Sequence, residues 1–175
     1  VAAYVKHLHP KTRIIGVEVE GSNCMDAALR AGKRVKLPLE TLDLFADGVS
    51  VAQAGLLPFK IARKYVDEIV VVNIDEICAA IKDVFEDTRG VSEPAGALAI
   101  AGMKRYLADH PGLSSVVAIV SGANVNFDRL RHISERAEVG EAREAVLAVT
   151  IDEAQGSFLK FCRALGKRSI TEFNY

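Results

Sequence analysis

The residues best placed to do chemistry in this chain are Ser121 and Gly122, with Glu93 upstream of them. Ser121-Gly122 follows directly on the apolar run Val116–Val120. In parallel α/β sheets, ligands sit beyond the carboxyl ends of the strands, because loops and helix N-termini converge there. A hydroxyl at such a place can give or take one hydrogen bond, and a glycine lets a flat ligand approach the backbone closely. The same dipeptide is also an ordinary exit from a strand into a turn. Glu93 stands just before Pro94 at the start of an apolar helix, where the helix dipole favours a carboxylate. It is either a cap or a site carboxylate. Asp47-Gly48 is common turn chemistry. His7 and His9 lie two apart with no third ligand, and His110 and His132 read as peripheral. There is no Gly-rich dinucleotide fingerprint, no P-loop and no nucleophile elbow.

The elements that must position these residues can be read from periodicity and punctuation. Val1–Leu8 has helical spacing and is stopped by Pro10. Arg13–Val19 is a β-branched run, followed by Ser22 as an N-cap for CMDAALRA and Gly32 as its C-cap. Glu40–Ser50 reads as a loop. Pro58–Val66 is amphipathic, and Glu68–Val72 is a strand. Asn73 and Glu76 have the spacing of a capping box for a helix through Glu86. Pro94 occupies a first-turn position of a helix reaching about Ala108. Val116–Val120, apolar throughout, is expected to be a central parallel strand buried on both faces. The alternation of strand and helix argues for an α/β layer with parallel pairing.

After about His132 the character changes. Residues 135–144 are charge-rich and read as a linker. Ala145–Ile151 and Ser169–Tyr175 read as strands flanking the amphipathic helix Gly156–Leu165, a βαβ unit of a second, smaller domain.

Composition excludes some function classes. Lys plus Arg total 22 against 23 for Asp plus Glu, so no basic excess drives phosphate-backbone binding. The longest apolar runs, such as Ala97–Met103, fall far short of the ~20 residues of a membrane span. Neither nucleic acid nor membrane is expected as a partner. Cys24, Cys78 and Cys162 are far apart and set in apolar surroundings, as expected of buried thiols in a reducing compartment.

Several segments together resemble the threonine dehydratase family in its long, biosynthetic form. They are Phe45–Val49 (FADGV), Asp83–Asp87 (DVFED), Glu93–Ala97 (EPAGA), Ser121–Phe127 (SGANVNF), Arg131–Arg136 (RHISER), Gly156–Cys162 (GSFLKFC) and Thr171–Tyr175 (TEFNY). The resemblance covers essentially the whole chain. EPAGA is shared in form with serine racemase and serine dehydratase, whereas GSFLKFC and TEFNY separate the regulated threonine enzyme from them. The implied fold class is α/β: a partial fold type II pyridoxal-phosphate enzyme layer, followed by the first βαβ of an ACT-like regulatory domain. The implied division is 1–134 for the rear of the catalytic domain, 135–144 for a linker, and 145–175 for the start of the regulatory domain.

The family deaminates L-threonine to 2-oxobutanoate and ammonia on the way to isoleucine, with isoleucine and valine as regulators. It is cytoplasmic and usually a homotetramer at full length. Its cofactor is pyridoxal 5'-phosphate. By resemblance, Ser121 hydrogen-bonds the pyridine nitrogen, and Gly122, Glu93 and the backbone at Gly48 line the same pocket. No catalytic residue is assigned within the chain, because nothing here matches the family's Schiff-base lysine motif. Lys6, Lys11, Lys33, Lys60, Lys82 and Lys104 all lie in helices, connectors or charged faces. The chain therefore reads as a fragment, expected to be inactive alone and to leave apolar faces such as Val116–Val120 partly uncovered. Serine racemase relatives hold a divalent cation through a Glu and an Asp. Here Glu18 persists but Cys24 stands at the Asp position, a poor ligand for hard cations, so no metal is expected. Two other readings remain: an amino-acid-binding regulatory module, and a serine dehydratase or racemase relative.

Overall fold

The structure is a computed structural model that describes residues 1–174. The chain divides into two compact units, Val1–Glu144 and Ala145–Tyr175.

In the first unit, helix α1 (Ala2–Leu8) leads to strand β1 (Ile15–Val19) and helix α2 (Cys24–Ala31). Two short 3₁₀ turns, Leu39–Thr41 and Asp47–Val49, precede helix α3 (Leu56–Tyr65) and strand β2 (Glu68–Val72). Helices α4 (Ile74–Thr88), α5 (Pro94–Asp109) and α6 (Arg129–Gly140) complete it. β1 and β2 pair in parallel from Ile15 opposite Glu68 to Val19 opposite Val72. A parallel pair needs a crossover connection, which α2 and α3 provide. The core gathers Val19, Val72, Ile77, Cys78, Ile81, Ala97, Leu98, Ile133 and Ala137 between the two strands and α4, α5 and α6. Burying a side chain such as Ile77 contributes roughly 1.5–3 kcal/mol. Burial also pushes the Cys78 thiol up to about 12, so it serves as a small apolar filler.

The helix starts show how local chemistry sets the ends. Asn73 makes the expected capping box: its side chain accepts from the Glu76 N–H at 3.0 Å, and Glu76 accepts from the Asn73 N–H at 2.8 Å. Glu76 also receives Arg105 of α5 through two guanidinium nitrogens, at 2.8 and 2.6 Å, while Arg105 donates to the carbonyl of Val71. One glutamate thus ties the end of β2, the start of α4 and the middle of α5 together. Ser22, expected to cap α2, does not. Asn23 occupies the N-cap without a side-chain bond, and Ser22 donates to the carbonyl of Asp43. The open N–H groups of α2 are taken instead by Glu18 at the end of β1, which accepts from Met25 (2.9 Å) and Asp26 (2.7 Å). Burial nevertheless raises the Glu18 carboxyl above the ordinary range. Gly32 closes α2 in the left-handed conformation, as expected.

Three further expectations fail in the first unit or the next. Val116–Val120 forms no strand, and Val117 is 87% exposed. A strand needs a hydrogen-bonded neighbour ~4.8 Å away, and among the described residues the only sheet is β1–β2. The charge-rich 135–144 stretch is helical to Gly140 as the second half of α6. Its charges are contacts with α4: Lys82 reaches Glu138 (2.7 Å) and Glu141 (2.8 Å), and Arg136 meets Asp75 at 2.7 Å. Gly140 lies directly against the Asp75 carbonyl, where a Cβ would not fit. In the second unit, helix α7 (Ser157–Leu165) is present, but Ala145–Ile151 and the described part of Ser169–Tyr175 are not strands. Tyr175 itself lies outside the described residues. A strand exists through its pairing, and among the described residues of this unit neither stretch is paired. Phe158 instead meets Phe161 and Phe173, with ring centroids 6.2 and 5.2 Å away.

Asn73→Ala is expected to lower stability by about 1 kcal/mol in denaturant unfolding, whereas Asn23→Ala, which removes no cap bond, stays within about 0.5 kcal/mol. The α4–α6 ion pairs have a pH signature. Lys82 holds the Glu141 carboxyl below its ordinary value, and both acids hold Lys82 above its own. Their contribution is full between the unfolded values of about 4.3 and 10.4; it fades as pH falls through the lowered Glu141 value or rises through the raised Lys82 value. Lys82→Gln should therefore destabilise the protein at pH 7 and lose its effect at strongly acid pH in the same unfolding measurement.

Candidate functional site

The first turn of α5 is where the expected residues meet. Pro94 sits inside that turn, where its missing N–H does no harm, and leaves Glu93 as the N-cap residue in extended conformation. Glu93 makes no cap bond with its own helix. Its carboxylate reaches across and accepts from the backbone N–H of Asn124 at 3.1 Å. Its own backbone N–H donates to the carbonyl of Gly122, also at 3.1 Å. The side chain is therefore not a cap of α5 but a tie to the segment that carries Gly122 and Asn124.

Glycine is required where these two segments touch. A Cβ on Gly122 would collide with the Glu93 carboxylate, and a Cβ on Gly96 would collide with the Gly122 carbonyl. Gly48 lies on the same turn: its own Cβ would come within 3.0 Å of Ala95 Cβ. Gly48, Glu93 and Gly122 therefore belong to one cluster about the start of α5. Ser121 stands next to Gly122, exposed, and its hydroxyl makes no hydrogen bond among the described residues. A free neutral hydroxyl beside a pinned backbone can meet a ring nitrogen of a flat ligand as donor or acceptor.

Sequence reasoning missed Ser92. It is 2% exposed, and its one hydroxyl proton is shared between the carbonyls of Gly122 (3.0 Å) and Glu93 (3.1 Å). The Gly122 carbonyl is thus held by two donors. Nothing in the local pattern announces this, because the contact spans thirty residues of chain. Two α6 residues were missed as well. Arg129 donates to the carbonyl of Phe45 at 3.3 Å, and His132 meets the Phe45 ring edge-on at 5.9 Å. They hold the Phe45–Val49 loop, and with it Gly48, in place. Glu18, the residue weighed for a cation, is engaged by two backbone N–H groups of α2.

The chain is similar to known proteins along most of its length. Residues 1–122 match the family described as pyridoxal-phosphate dependent enzyme, and residues 135–175 match the C-terminal regulatory domain of threonine dehydratase. The chain is 56% identical to the biosynthetic L-threonine dehydratase of Escherichia coli over 176 aligned residues, covering 100% of this chain and 34% of that protein. It is 49% identical to the chloroplastic biosynthetic threonine dehydratase of Arabidopsis thaliana, covering 100% of this chain and 29% of that protein. The chain thus spans about a third of the length of the curated relatives it matches. Among solved structures, the processed form of threonine deaminase isoform 2 from Solanum lycopersicum superposes with a TM-score of 0.75 at 43% identity, covering 78% of this chain and 40% of that one. Serine racemase from Dictyostelium discoideum gives 0.64 at 28% identity, with 72% and 39% covered.

Ser92→Ala is expected to cost about 1 kcal/mol in thermal or denaturant unfolding, since the Gly122 carbonyl loses one of its two donors. Ser121→Ala should stay within about 0.5 kcal/mol, because that hydroxyl holds nothing in the fold.

Proposed function

The chain belongs to the pyridoxal-phosphate dependent enzymes, and from that premise we propose that the protein carrying it is a threonine ammonia-lyase converting L-threonine to 2-oxobutanoate and ammonia. The observation that supports this reading best is the pair of matches on one chain: a cofactor-dependent catalytic family over 1–122 and a regulatory domain named for threonine dehydratase over 135–175. The serine racemase likeness covers less of the chain and at lower identity.

The residues around α5 fit the cofactor. An unengaged, exposed hydroxyl stands at Ser121, beside the Gly122 carbonyl that Ser92 and the Glu93 N–H hold. Ser121 would hydrogen-bond the pyridine nitrogen, and Gly122, Glu93 and the backbone at Gly48 would line the pocket. When bound, pyridoxal phosphate supplies an electron-withdrawing ring that takes up the electrons released as the substrate loses its α-proton. Ser121, as a neutral partner, does not hold a proton on that nitrogen as a carboxylate would. A neutral partner of this kind would suit loss of a β-hydroxyl from the bound substrate. Ser92 and the Glu93 N–H act one step behind, fixing the carbonyl of Gly122 and with it the backbone beside Ser121.

Residues 145–175 we assign to the start of an ACT-like regulatory domain, which would place isoleucine and valine as effectors and a homotetramer as the working assembly in the cytoplasm. No helix of the described residues is long and apolar enough to cross a membrane.

In the protein carrying this chain, Ser121→Ala is expected to lower L-threonine deamination about tenfold or more and to shift the bound cofactor's absorption band, at unchanged thermal stability. Release of 2-oxobutanoate follows the first effect and absorbance spectroscopy the second. Turnover of L-serine in clear preference to L-threonine would sink the threonine assignment, and an unshifted spectrum would remove Ser121 from the ring nitrogen.

A further inference from the structure

A second place in the first unit has the makings of a binding site, and nothing in the reading above uses it. No Asp or Glu occurs in residues 27–39 or 48–66, yet these stretches carry seven of the chain's 22 Lys and Arg residues. Folding brings four of the seven together. Lys33 and Arg34, just past the end of α2, and Lys60 and Arg63, on α3, line one cleft of about 390 Å³. Its apolar wall is formed by Leu56 and Phe59, the latter packed among Cys24, Ala28 and Ala54. The volume lies in the range of small-molecule clefts.

None of the four cations is in an ion pair among the described residues. Arg34 is held by neutral groups: Nε donates to the carbonyl of Ala54 at 2.7 Å and Nη2 to Gln53 Oε1 at 2.9 Å. Arg63 donates to the carbonyl of Gly32 at 3.4 Å. Lys33 and Lys60 make no hydrogen bond among the described residues, so their ammonium groups are available. The C-terminus of α2 accounts for some of this charge, since helix ends favour cations there. Its dipole amounts to roughly half a negative charge, against four unit positive charges in the cleft. Elsewhere on the unit, by contrast, cations such as Lys6, Lys82 and Lys104 each sit within 3 Å of a carboxylate.

The geometry points to a site for a small organic phosphate, its phosphoryl group among Lys33, Arg34, Lys60 and Arg63 and its carbon body against Leu56 and Phe59. A phosphate monoester carries about −1.5 to −2 at pH 7, which suits several convergent cations better than a single carboxylate does. Arg34 and Arg63 keep unused N–H donors in the planar fork that fits phosphate oxygens, and the carbonyl and amide contacts hold the forks still. The apolar wall calls for a ligand with a body, since inorganic phosphate would leave it unused.

Calorimetric titration of the protein with phenyl phosphate and with inorganic phosphate, at low and at physiological salt, tests this. Phenyl phosphate is expected to bind more tightly than inorganic phosphate, and its affinity to fall as salt rises. Lys60→Gln should weaken it about two- to fivefold, and Lys33→Gln with Lys60→Gln by the product of two such factors. Both lysines are exposed and hold nothing in the fold, and an unchanged circular dichroism spectrum would show that the variants fold. Absence of phenyl phosphate binding at low salt would overturn the proposal. So would undiminished binding by the double variant, or equal affinity for inorganic phosphate. Because the titration reads neither threonine turnover nor cofactor absorption, its failure is separate from any failure of the ammonia-lyase reading.

Discussion

Everything at the candidate site depends on one close approach of backbone to backbone. The Gly122 carbonyl lies against the first turn of α5 with no side chain between them, held by the Glu93 N–H and the Ser92 hydroxyl. Gly96 and Gly122 are both needed for that distance, because a Cβ on either would strike the other segment or the Glu93 carboxylate. Each such hydrogen bond contributes on the order of 0.5–1.5 kcal/mol, so the two together stabilise the approach. Residues 116–121 enter this point without any sheet ladder, and the clamp at residue 122 gives Ser121 a defined place all the same.

Around that clamp, the first unit is joined by charged side chains that each serve several elements. Glu76 completes the cap of α4 and accepts Arg105 from α5, whose guanidinium also holds the last turn of chain in β2. Glu18 ends β1 and caps α2. Lys82 and Arg136 fasten α6 to α4, and α6 in turn holds the Phe45–Val49 loop through Arg129 and His132. The loop bearing Gly48 is thus positioned from a helix some eighty residues later in the chain. A charge-rich stretch read as a connector became a structural face for this reason. Its charges have partners on α4, and a charge count cannot show a partner that is distant in sequence.

Chemical type and local spacing made a good part of this legible. The Asn73 capping box, Gly32 as a left-handed helix end, Pro94 in the first turn of α5 and the strand Glu68–Val72 are all decided within a few residues, and the structure has them where the spacing places them. The motifs EPAGA and SGANVNF pointed to one site, and their glycines do lie against each other. Where local pattern erred, it erred on features that need a neighbour. VVAIV has every property of a buried strand, but a strand exists through its ladder, and among the described residues none is offered. The alternating Ser169–Tyr175 stretch met the same limit. Ser22 looked like a cap until Glu18 reached the helix first.

The sequence by itself determined the class of the protein, the ends of most helices in the first unit and the short list of residues that cluster about the start of α5, because each of these follows from residue type at close spacing. Only the tertiary structure decided that the Glu93 carboxylate turns towards Asn124, that Ser92 is the hidden partner of Gly122, and that four cations without carboxylates share one cleft. The physical reason is the same in each case. A hydrogen bond or an unpaired charge is a property of two groups, and the chain brings those groups together only when it folds.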